Sequence, residues 1–299
     1  MIGGDGSQTD VETLKSPSTR SIQYYDYITD LPTGRSGHVA AFVNMNLFVC
    51  GGIGDVTCYY YHDHVWRWDY IANMDRPRNL AVSVLISPSE WWIAGGVDGQ
   101  WQSGQYLSTS ILYNGQMMQY GPSLPYGAFA ACAVKVNSTH LFFGGGYDGS
   151  KYRAEAYLLN WNTKVWDKLD DMRHARGFHG CNVAGDYIIV VGGIVNGQAS
   201  GTSEIYSLKN GVWWQGPDLP AAIGTLTHIG AATLRLPEED TFVIFGGADK
   251  NGKSDKVLKF VPKANEWKIM DETLEQGRSN HVVVQVPDDM RTKVAHGHH

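Results

Sequence analysis

The chain has 299 residues, of which 43% are hydrophobic and 12% aromatic, and its formal net charge is −6. This charge argues against a nucleic-acid partner, which would require a basic surface, and no apolar run approaches the ~20 residues that a membrane-spanning helix needs. The 35 glycines favour tight turns, and the aromatic content favours half-buried strands. The composition therefore predicts an all-β protein.

A glycine doublet after a short apolar run recurs along the chain at intervals of roughly 50 residues, a spacing typical of propeller blades. The doublets are Gly3-Gly4, Gly51-Gly52, Gly95-Gly96, Gly145-Gly146, Gly192-Gly193 and Gly246-Gly247. One small sheet cannot bury both of its faces alone, so the repeats must stack into one unit. We predict a single domain at 1–290 and a tail at 291–299, whose last residues resemble the remnant of a purification tag.

The repeat between residues 172 and 220 shows the expected order of elements. Four strands are predicted in it, in the order Arg176–Val183, Tyr187–Val191, Glu204–Ser207 and Val212–Trp214. Short turns join them, and the apolar run of the second strand ends at the doublet. Each repeat is therefore expected to form a four-stranded antiparallel sheet.

The two ends of the chain supply complementary parts of one repeat. The N-terminus starts at a doublet, with third- and fourth-strand patterns near residues 11–13 and 25–27 but without a first strand. The missing pattern occurs at Gly277–Gln285, which closely matches Gly34–Phe42. We predict that this C-terminal strand joins the N-terminal blade and closes a six-bladed ring without an open edge. The approximate blades are 275–287 with 1–33, 34–77, 78–125, 126–173, 174–220 and 221–274.

The cysteines and a sequon bear on the cellular compartment. Cys50 and Cys58 flank a turn between neighbouring strands, and Cys132 and Cys181 occupy matching places in consecutive repeats, which suggests two disulfide bonds. Asn137 begins a glycosylation sequon in a predicted hairpin turn. Together these features favour a secreted, extracellular protein, and the cytoplasm is the alternative.

The Arg-x-x-His strand entries, paired glycines, Glu-x-Tyr segments and spaced tryptophans resemble kelch repeats over residues 1–287. The spacing from Cys50 to Cys58, the phrase Trp213–Pro220 and the ending Val286–Met290 are similar to secreted kelch proteins of invertebrate animals. The resemblance implies a β-propeller whose first strands line the axis and whose loops bind partners. It does not by itself determine a function.

Candidate ligand-binding residues are predicted at one mouth of the central channel. Arginines begin four of the first strands, where they could bind an oxyanion bidentately or could instead brace their own blades. The entry residues are Arg35, Arg78, Tyr126, Arg176, Thr225 and Arg278, and the polar residues beside them are Ser36, Asn79 and Asn280. From the loops after the doublets, Trp101 and Tyr147 are expected to add apolar anchors.

Four histidines share one predicted position, three residues after the entry residue: His38, His179, His228 and His281. First strands around an axis hold such residues too far apart to share one metal ion at about 2 Å. We therefore expect hydrogen bonds between blades here, and neither a metal site nor a cofactor.

We favour a non-catalytic, monomeric recognition module that binds a protein or a glycan, with no residue assigned to catalysis. The kelch resemblance leaves two alternatives. One is a sugar-handling enzyme like the sialic-acid mutarotases, which would need an acid and a base at the mouth. The other is an intracellular kelch adaptor, either a ubiquitin-ligase receptor or an actin-linking protein.

Overall fold

The structure is a computed structural model that describes residues 1–2, 29–62, 65–236 and 239–284. The described residues form β-strands and a 3₁₀ helix at Pro262–Ala264, without an α-helix. Within these ranges, no helix has the length and apolar character to cross a membrane. The strands expected near residues 11–13 and 25–27 and the tail at 291–299 lie outside the described residues.

The described strands form five antiparallel sheets of four strands, one for each of five repeats. The first sheet contains β1 (Val39–Val43), β2 (Asn46–Cys50), β3 (Thr57–His62) and β4 (Arg67–Asn73). The second contains β5 (Val82–Ser87), β6 (Glu90–Ala94), β9 (Ser110–Tyr113) and β10 (Met118–Tyr120), with the short ribbon β7 (Val97–Asp98) and β8 (Gln105–Tyr106) between β6 and β9. The third contains β11 (Cys132–Lys135), β12 (His140–Gly144), β13 (Ala156–Asn160) and β14 (Val165–Lys168).

The last two sheets follow the same plan. The fourth contains β16 (Gly180–Ala184), β17 (Tyr187–Val191), β20 (Ser203–Ser207) and β21 (Val212–Gln215), and its short strands are β15 (Arg176–Gly177), β18 (Ile194–Val195) and β19 (Gln198–Ala199). The fifth contains β22 (Gly230–Leu236), β23 (Glu239–Phe245), β26 (Lys256–Val261) and β27 (Glu266–Thr273), with the ribbon β24 (Ala248–Asp249) and β25 (Gly252–Lys253).

The fourth sheet tests the strands predicted for its repeat. The second strand, Tyr187–Val191, is confirmed, and the third and fourth agree within one residue. The prediction of one continuous first strand at Arg176–Val183 is wrong. The chain is broken there into β15 and β16, because Phe178 has a left-handed backbone with φ of 57°.

The same left-handed break occurs in each repeat and joins the repeats to one another. The six residues are Gly37, Leu80, Ala130, Phe178, His228 and Asn280, with φ between 50° and 66°. From Leu80 onward, the N–H of each of these residues donates to the carbonyl of the equivalent residue one repeat earlier. Gly37 N–H donates to the carbonyl of Asn280, and the six N···O distances are 2.8 to 3.3 Å. We call this cycle of six backbone hydrogen bonds the axial ring.

The sheets stack face to face, with their first strands side by side. β5 lies against β1 and β11, and β16 lies against β11 and β22. Large side chains fill the spaces between sheets: Trp92, Phe143 and Trp161 are buried between the second and third, and Phe242 and Trp267 between the fourth and fifth. Most of the core therefore lies between blades, as the stacking of single sheets requires.

The two ends of the chain meet between the fifth and first sheets. Ile2 pairs with Val282 in an antiparallel bridge, with N···O distances of 3.0 and 3.3 Å. Met1 and Val283 pack against the core of the fifth sheet, while Ile2 and Val282 pack against that of the first sheet. This is the place where the sequence predicts the composite blade.

The second glycine of a doublet links its blade to the next. Gly193 N–H donates to the carbonyl of Leu226 at 2.8 Å, and Gly96, Gly146 and Gly247 make the equivalent bond. Gly193 has φ of 85°, and a Cβ there would lie 2.5 Å from the carbonyl oxygen of Gly177. Only glycine combines this backbone conformation with so close an approach.

All four cysteines are paired as predicted. Cys50 and Cys58 are directly opposite each other on β2 and β3 and form a disulfide within one blade. The bond between Cys132 and Cys181 joins β11 to β16, the first strands of neighbouring blades. In the chain-entropy model, a loop of this second size stabilises the fold by about 4 kcal/mol.

Candidate functional site

One end of the stacked sheets carries the entry segments and the chain that follows each doublet; we call this end the mouth. After each described doublet, the chain pairs with the entry segment of its own blade. The pairs are Ile53 with Ser36, Val97 with Asn79, Tyr147 with Phe129, Ile194 with Gly177, and Ala248 with Thr227. These pairs hold the loop bases rigidly around the axial ring.

The entry arginines are buried inside their own blades. Arg176 has no exposed surface: one Nη donates to the carbonyls of Gly192 and Thr202 at 2.9 and 3.1 Å, and the other lies 2.7 Å from Glu204. Burial lowers the pKa of the Arg176 guanidinium, and the charge of Glu204 acts in the opposite direction. The guanidinium thus joins the second and third strands at the doublet.

Arg35 and Arg78 repeat this arrangement. Arg35 donates to the carbonyls of Gly51 and Thr57 and pairs with Asp55 at 3.0 Å. Arg78 makes equivalent bonds to its own doublet and third strand and pairs with Asp75 at 3.1 Å. Arg278 is buried as well. For the first three arginines, the contacts favour the bracing interpretation over the binding of an anion.

Tyr126 replaces the arginine in the third repeat, from a different backbone position. Its hydroxyl donates to the carbonyl of Gly145 at 2.8 Å, the bond that an arginine Nη makes elsewhere. The carbonyl of Ala128 accepts the hydrogen bond from Gly96 N–H, as the carbonyl of Arg176 does from Gly146 N–H. Ala128 therefore occupies the backbone position that the arginines hold in other repeats. The phenol therefore reaches the same carbonyl from two residues upstream.

The fifth repeat requires a similar correction. Leu226 occupies the backbone position of the arginines, because its carbonyl accepts the hydrogen bond from Gly193 N–H. Thr225 lies one residue earlier, in a turn. His228 is consequently a member of the axial ring. It does not share the position of His38, His179 and His281, as the sequence had suggested.

The other three histidines lie between blades, beside a channel of about 250 Å³ below the axial ring. A Cβ on Gly145 would lie 2.6 Å from Cε1 of His179, so this imidazole packs directly on the doublet of the preceding repeat. Both ring nitrogens of His179 lack a hydrogen-bond partner in the described part of the chain. The prediction of hydrogen bonds between blades is therefore wrong for His179, because its imidazole is buried against the backbone of a doublet. Burial lowers the pKa of His38, His179 and His281 to about 3.

On the other side of the axial ring, the mouth contains a depression of about 380 Å³, which we call the mouth cup. Its lining includes four of the residues predicted from the sequence: Ser36, Asn79, Trp101 and Asn280. The structure adds Ile53, Leu80, Phe129, Tyr152, Phe178, Ile194 and His228. No described residue of this lining is Asp, Glu, Lys or Arg.

The lining of the mouth cup is divided into an aromatic and a polar side. Phe178 contacts His228 with ring centroids 4.2 Å apart and ring planes tilted by 45°, and it meets Phe129 edge to face at 5.3 Å. Tyr147 does not line the cup, but it packs against Tyr152 at 5.2 Å and supports the rim. Ser36, Asn79 and Asn280 belong to the repeats across the axial ring and supply the polar residues of the lining.

The repeated sheets and their face-to-face stacking define the class of the protein as a β-propeller. A family model described as the KLHDC2/KLHL20/DRC7 Kelch-repeats domain matches residues 114–292, more than half of the chain. The chain therefore belongs to the kelch-repeat family.

Several kelch proteins are similar to this chain. Kelch-like protein 36 of Bos taurus is 26% identical over 208 residues, which is 64% of this chain and 33% of that protein. Kelch-like protein 41b of Danio rerio is 23% identical over 59% of this chain and 31% of its own length. Alpha-scruin of Limulus polyphemus is 29% identical over 45% of this chain and 16% of its own length. The matches thus span at most about a third of these relatives.

Replacing Arg176 by alanine should cost about 3–5 kcal/mol of unfolding free energy, because the buried carboxylate of Glu204 and two carbonyls lose their partner. Equilibrium chemical denaturation measures this loss. The control is Arg67→Ala, since Arg67 is 66% exposed in a surface ion pair with Asp69 and should change stability by less than about 0.5 kcal/mol. An Arg176→Ala variant as stable as the parent would contradict the bracing role.

Acid should destabilise the protein through the buried histidines. With a folded pKa of about 3, His179 stays neutral while the unfolded chain binds a proton below about pH 6.5, so stability falls as the pH drops toward 3. His179→Leu should reduce the slope of unfolding free energy against pH by up to about 1.4 kcal/mol per unit between pH 6 and 4. If the slope of the variant equals that of the parent in the same buffers, His179 has the same pKa in the folded and unfolded states, which would contradict the prediction.

Proposed function

We propose that the protein is a non-catalytic recognition module that binds a protein ligand through the mouth cup. The observation that carries this proposal is an uncharged, partly aromatic depression held between short, hydrogen-bonded loop bases. Aromatic groups next to amides and hydroxyls are typical of recognition surfaces. Membership of the kelch family supports a protein-interaction role, although fold alone does not determine it.

The buried charges support recognition without an anionic ligand. Arg35, Arg78 and Arg176 are each paired with a carboxylate and bonded to the blade, so these donors are already engaged within the protein. The anion-binding role considered for them would require breaking those pairs, at a cost of several kcal/mol each. The ligand is therefore proposed to contact the cup lining, with the arginines supporting the blades behind it.

We also propose that the propeller has six blades and is closed by the C-terminal strand. The axial ring supports this, since its hydrogen bonds return from Asn280 to Gly37. The packing of residues 1–2 and 282–284 between the fifth and first sheets supports it further. A rigid ring would explain how loops from different blades maintain one cup.

The experiment for the proposed function is a screen of a displayed random-peptide library and a glycan array in parallel. Trp101 is 50% exposed at the cup rim, and its replacement by alanine should reduce the affinity of enriched peptides about tenfold. The matched control is Trp66→Ala, because Trp66 is 48% exposed at the opposite end of the first sheet and should leave binding unchanged. Binding of glycans only, or of peptides insensitive to Trp101→Ala, would contradict the proposal.

We further propose that the protein functions in an oxidising compartment, where disulfides form and persist. Both pairs of cysteines support this, and the sequon asparagine, Asn137, lies in an exposed hairpin turn at the end opposite the mouth. The adaptor alternative would place the same cysteines among reduced thiols.

Counting thiols separates the two compartments. Protein isolated from its native source with thiols blocked at lysis, then denatured without reductant, should show no titratable thiol before reduction and four afterwards, the number of cysteines in the chain. Four thiols before reduction would support the cytoplasmic alternative.

A further inference from the structure

The charge of the mouth cup limits which side chain of a protein ligand could enter it. The described lining has no Asp, Glu, Lys or Arg, and the nearest arginines are paired within their blades. The titratable groups of the described lining are His228 and Tyr152, so a charged side chain entering this depression would lose water without gaining a counterion of fixed charge, which costs several kcal/mol. The lining thus selects for an uncharged group, an argument that rests on the function proposed above.

The aromatic side of the cup adds a shape requirement. Phe178 and Phe129 are packed edge to face, and Tyr152 and Trp101 line the same depression. Aromatic rings prefer edge-to-face or offset contacts with other rings, which contribute about 0.5–1.5 kcal/mol beyond the burial of area. A volume of about 380 Å³ lies at the lower end of the range for ligand pockets, so it suits one large side chain with its adjoining backbone.

The polar side of the cup supplies a group that can recognise the tip of such a side chain. Asn79 is only 7% exposed, and its side-chain Oδ1 has no hydrogen-bond partner among the described residues. Its backbone is fixed by two hydrogen bonds to Val97. This Oδ1 lies against Gly37 in the axial ring, and a buried acceptor without a partner is costly. Rotation about the last torsion of the side chain would turn either Oδ1 as an acceptor or Nδ2 as a donor toward a ligand.

We infer that the mouth cup binds an uncharged aromatic side chain with a polar tip, tyrosine or tryptophan, presented by a segment of a partner protein. The ring lies against Phe178 and Trp101, and the tip forms a hydrogen bond with the amide of Asn79. Phosphorylation of an anchoring tyrosine would prevent binding, because the phosphate would bring about two negative charges into an uncharged cup.

The test varies the anchor of a peptide obtained from the library screen whose binding depends on Trp101. Peptides with tyrosine, phenylalanine, phosphotyrosine, aspartate or lysine at that position are titrated against the parent protein by fluorescence anisotropy. Tyrosine should bind about tenfold more tightly than phenylalanine, the value of one hydrogen bond. Phosphotyrosine, aspartate and lysine should each bind at least about 100-fold more weakly, as expected for an unpaired buried charge.

Two variants assign these preferences to the cup. Asn79→Leu removes the amide and should abolish the preference for tyrosine over phenylalanine, while phenylalanine peptides still bind. Trp101→Ala should weaken tyrosine and phenylalanine peptides equally, and Trp66→Ala should change neither. If Asn79→Leu fails to fold, the parent protein still tests the inference: equal binding of the tyrosine, phenylalanine and phosphotyrosine peptides would overturn both the polar-tip and the charge requirement.

The outcomes separate this inference from the proposed function. Peptides that bind through an acidic or basic anchor and still require Trp101 would overturn the inference and leave the mouth as the binding surface. A preference for tyrosine that survives Asn79→Leu would overturn the role of the amide. If no peptide requires Trp101, the proposed function fails, and the inference fails with it.

Discussion

A backbone hydrogen bond made from a left-handed residue is the constraint on which the rest of the structure depends. In each repeat one residue, Phe178 in the fourth, turns the chain sharply between the entry segment and the first strand, and its N–H bonds to the equivalent carbonyl of the preceding repeat. In four repeats the second doublet glycine makes a bond in the opposite direction, to the following repeat, at the backbone position that Arg176 holds in the fourth. Two main-chain bonds therefore fix each blade to its neighbours near the axis, whatever side chains lie there.

Because main-chain atoms make these links, the side chains of the axial-ring residues are not needed to join the blades and can line the mouth. Leu80, Phe178, His228 and Asn280 line the mouth cup and differ in every repeat. The arginines instead lie two residues earlier, and their charges are neutralised inside the blades, as in the pair of Arg176 with Glu204. An uncharged cup with aromatic and amide sides results from this division of roles.

The repeat pattern and the disulfides could be predicted from the sequence, because each has a local signal. A buried strand reads as an apolar run such as Tyr187–Val191, and paired cysteines stand at matching places. The axial ring had no such signal at Leu80, Ala130 and Phe178, since leucine, alanine and phenylalanine rarely adopt positive φ. Phe178 and Phe129 were therefore missed as cup residues, while Ser36, Asn79, Trp101 and Asn280 were found through their polarity or exposure near the entries.

Two errors of register arose because side chains can substitute for one another from different backbone positions. The Tyr126 hydroxyl reaches the carbonyl that an arginine binds elsewhere, although Ala128 holds the backbone place. Counting residues from Tyr126 or Thr225 therefore shifts every later position in those repeats, which is how His228 was grouped with the histidines between blades. Only the pairing of main-chain atoms reveals the correct alignment.

Residue-resolved amide hydrogen exchange by NMR tests the six-bladed ring most directly. If the ring is closed, the amides of Gly37 and Asn280 should exchange as slowly as those of Ala130 and Phe178, near the rate set by global unfolding. Fast exchange at Gly37 and Asn280, with Ala130 and Phe178 still protected, would show that the ring is open between its ends and would contradict the closure on which the mouth cup depends.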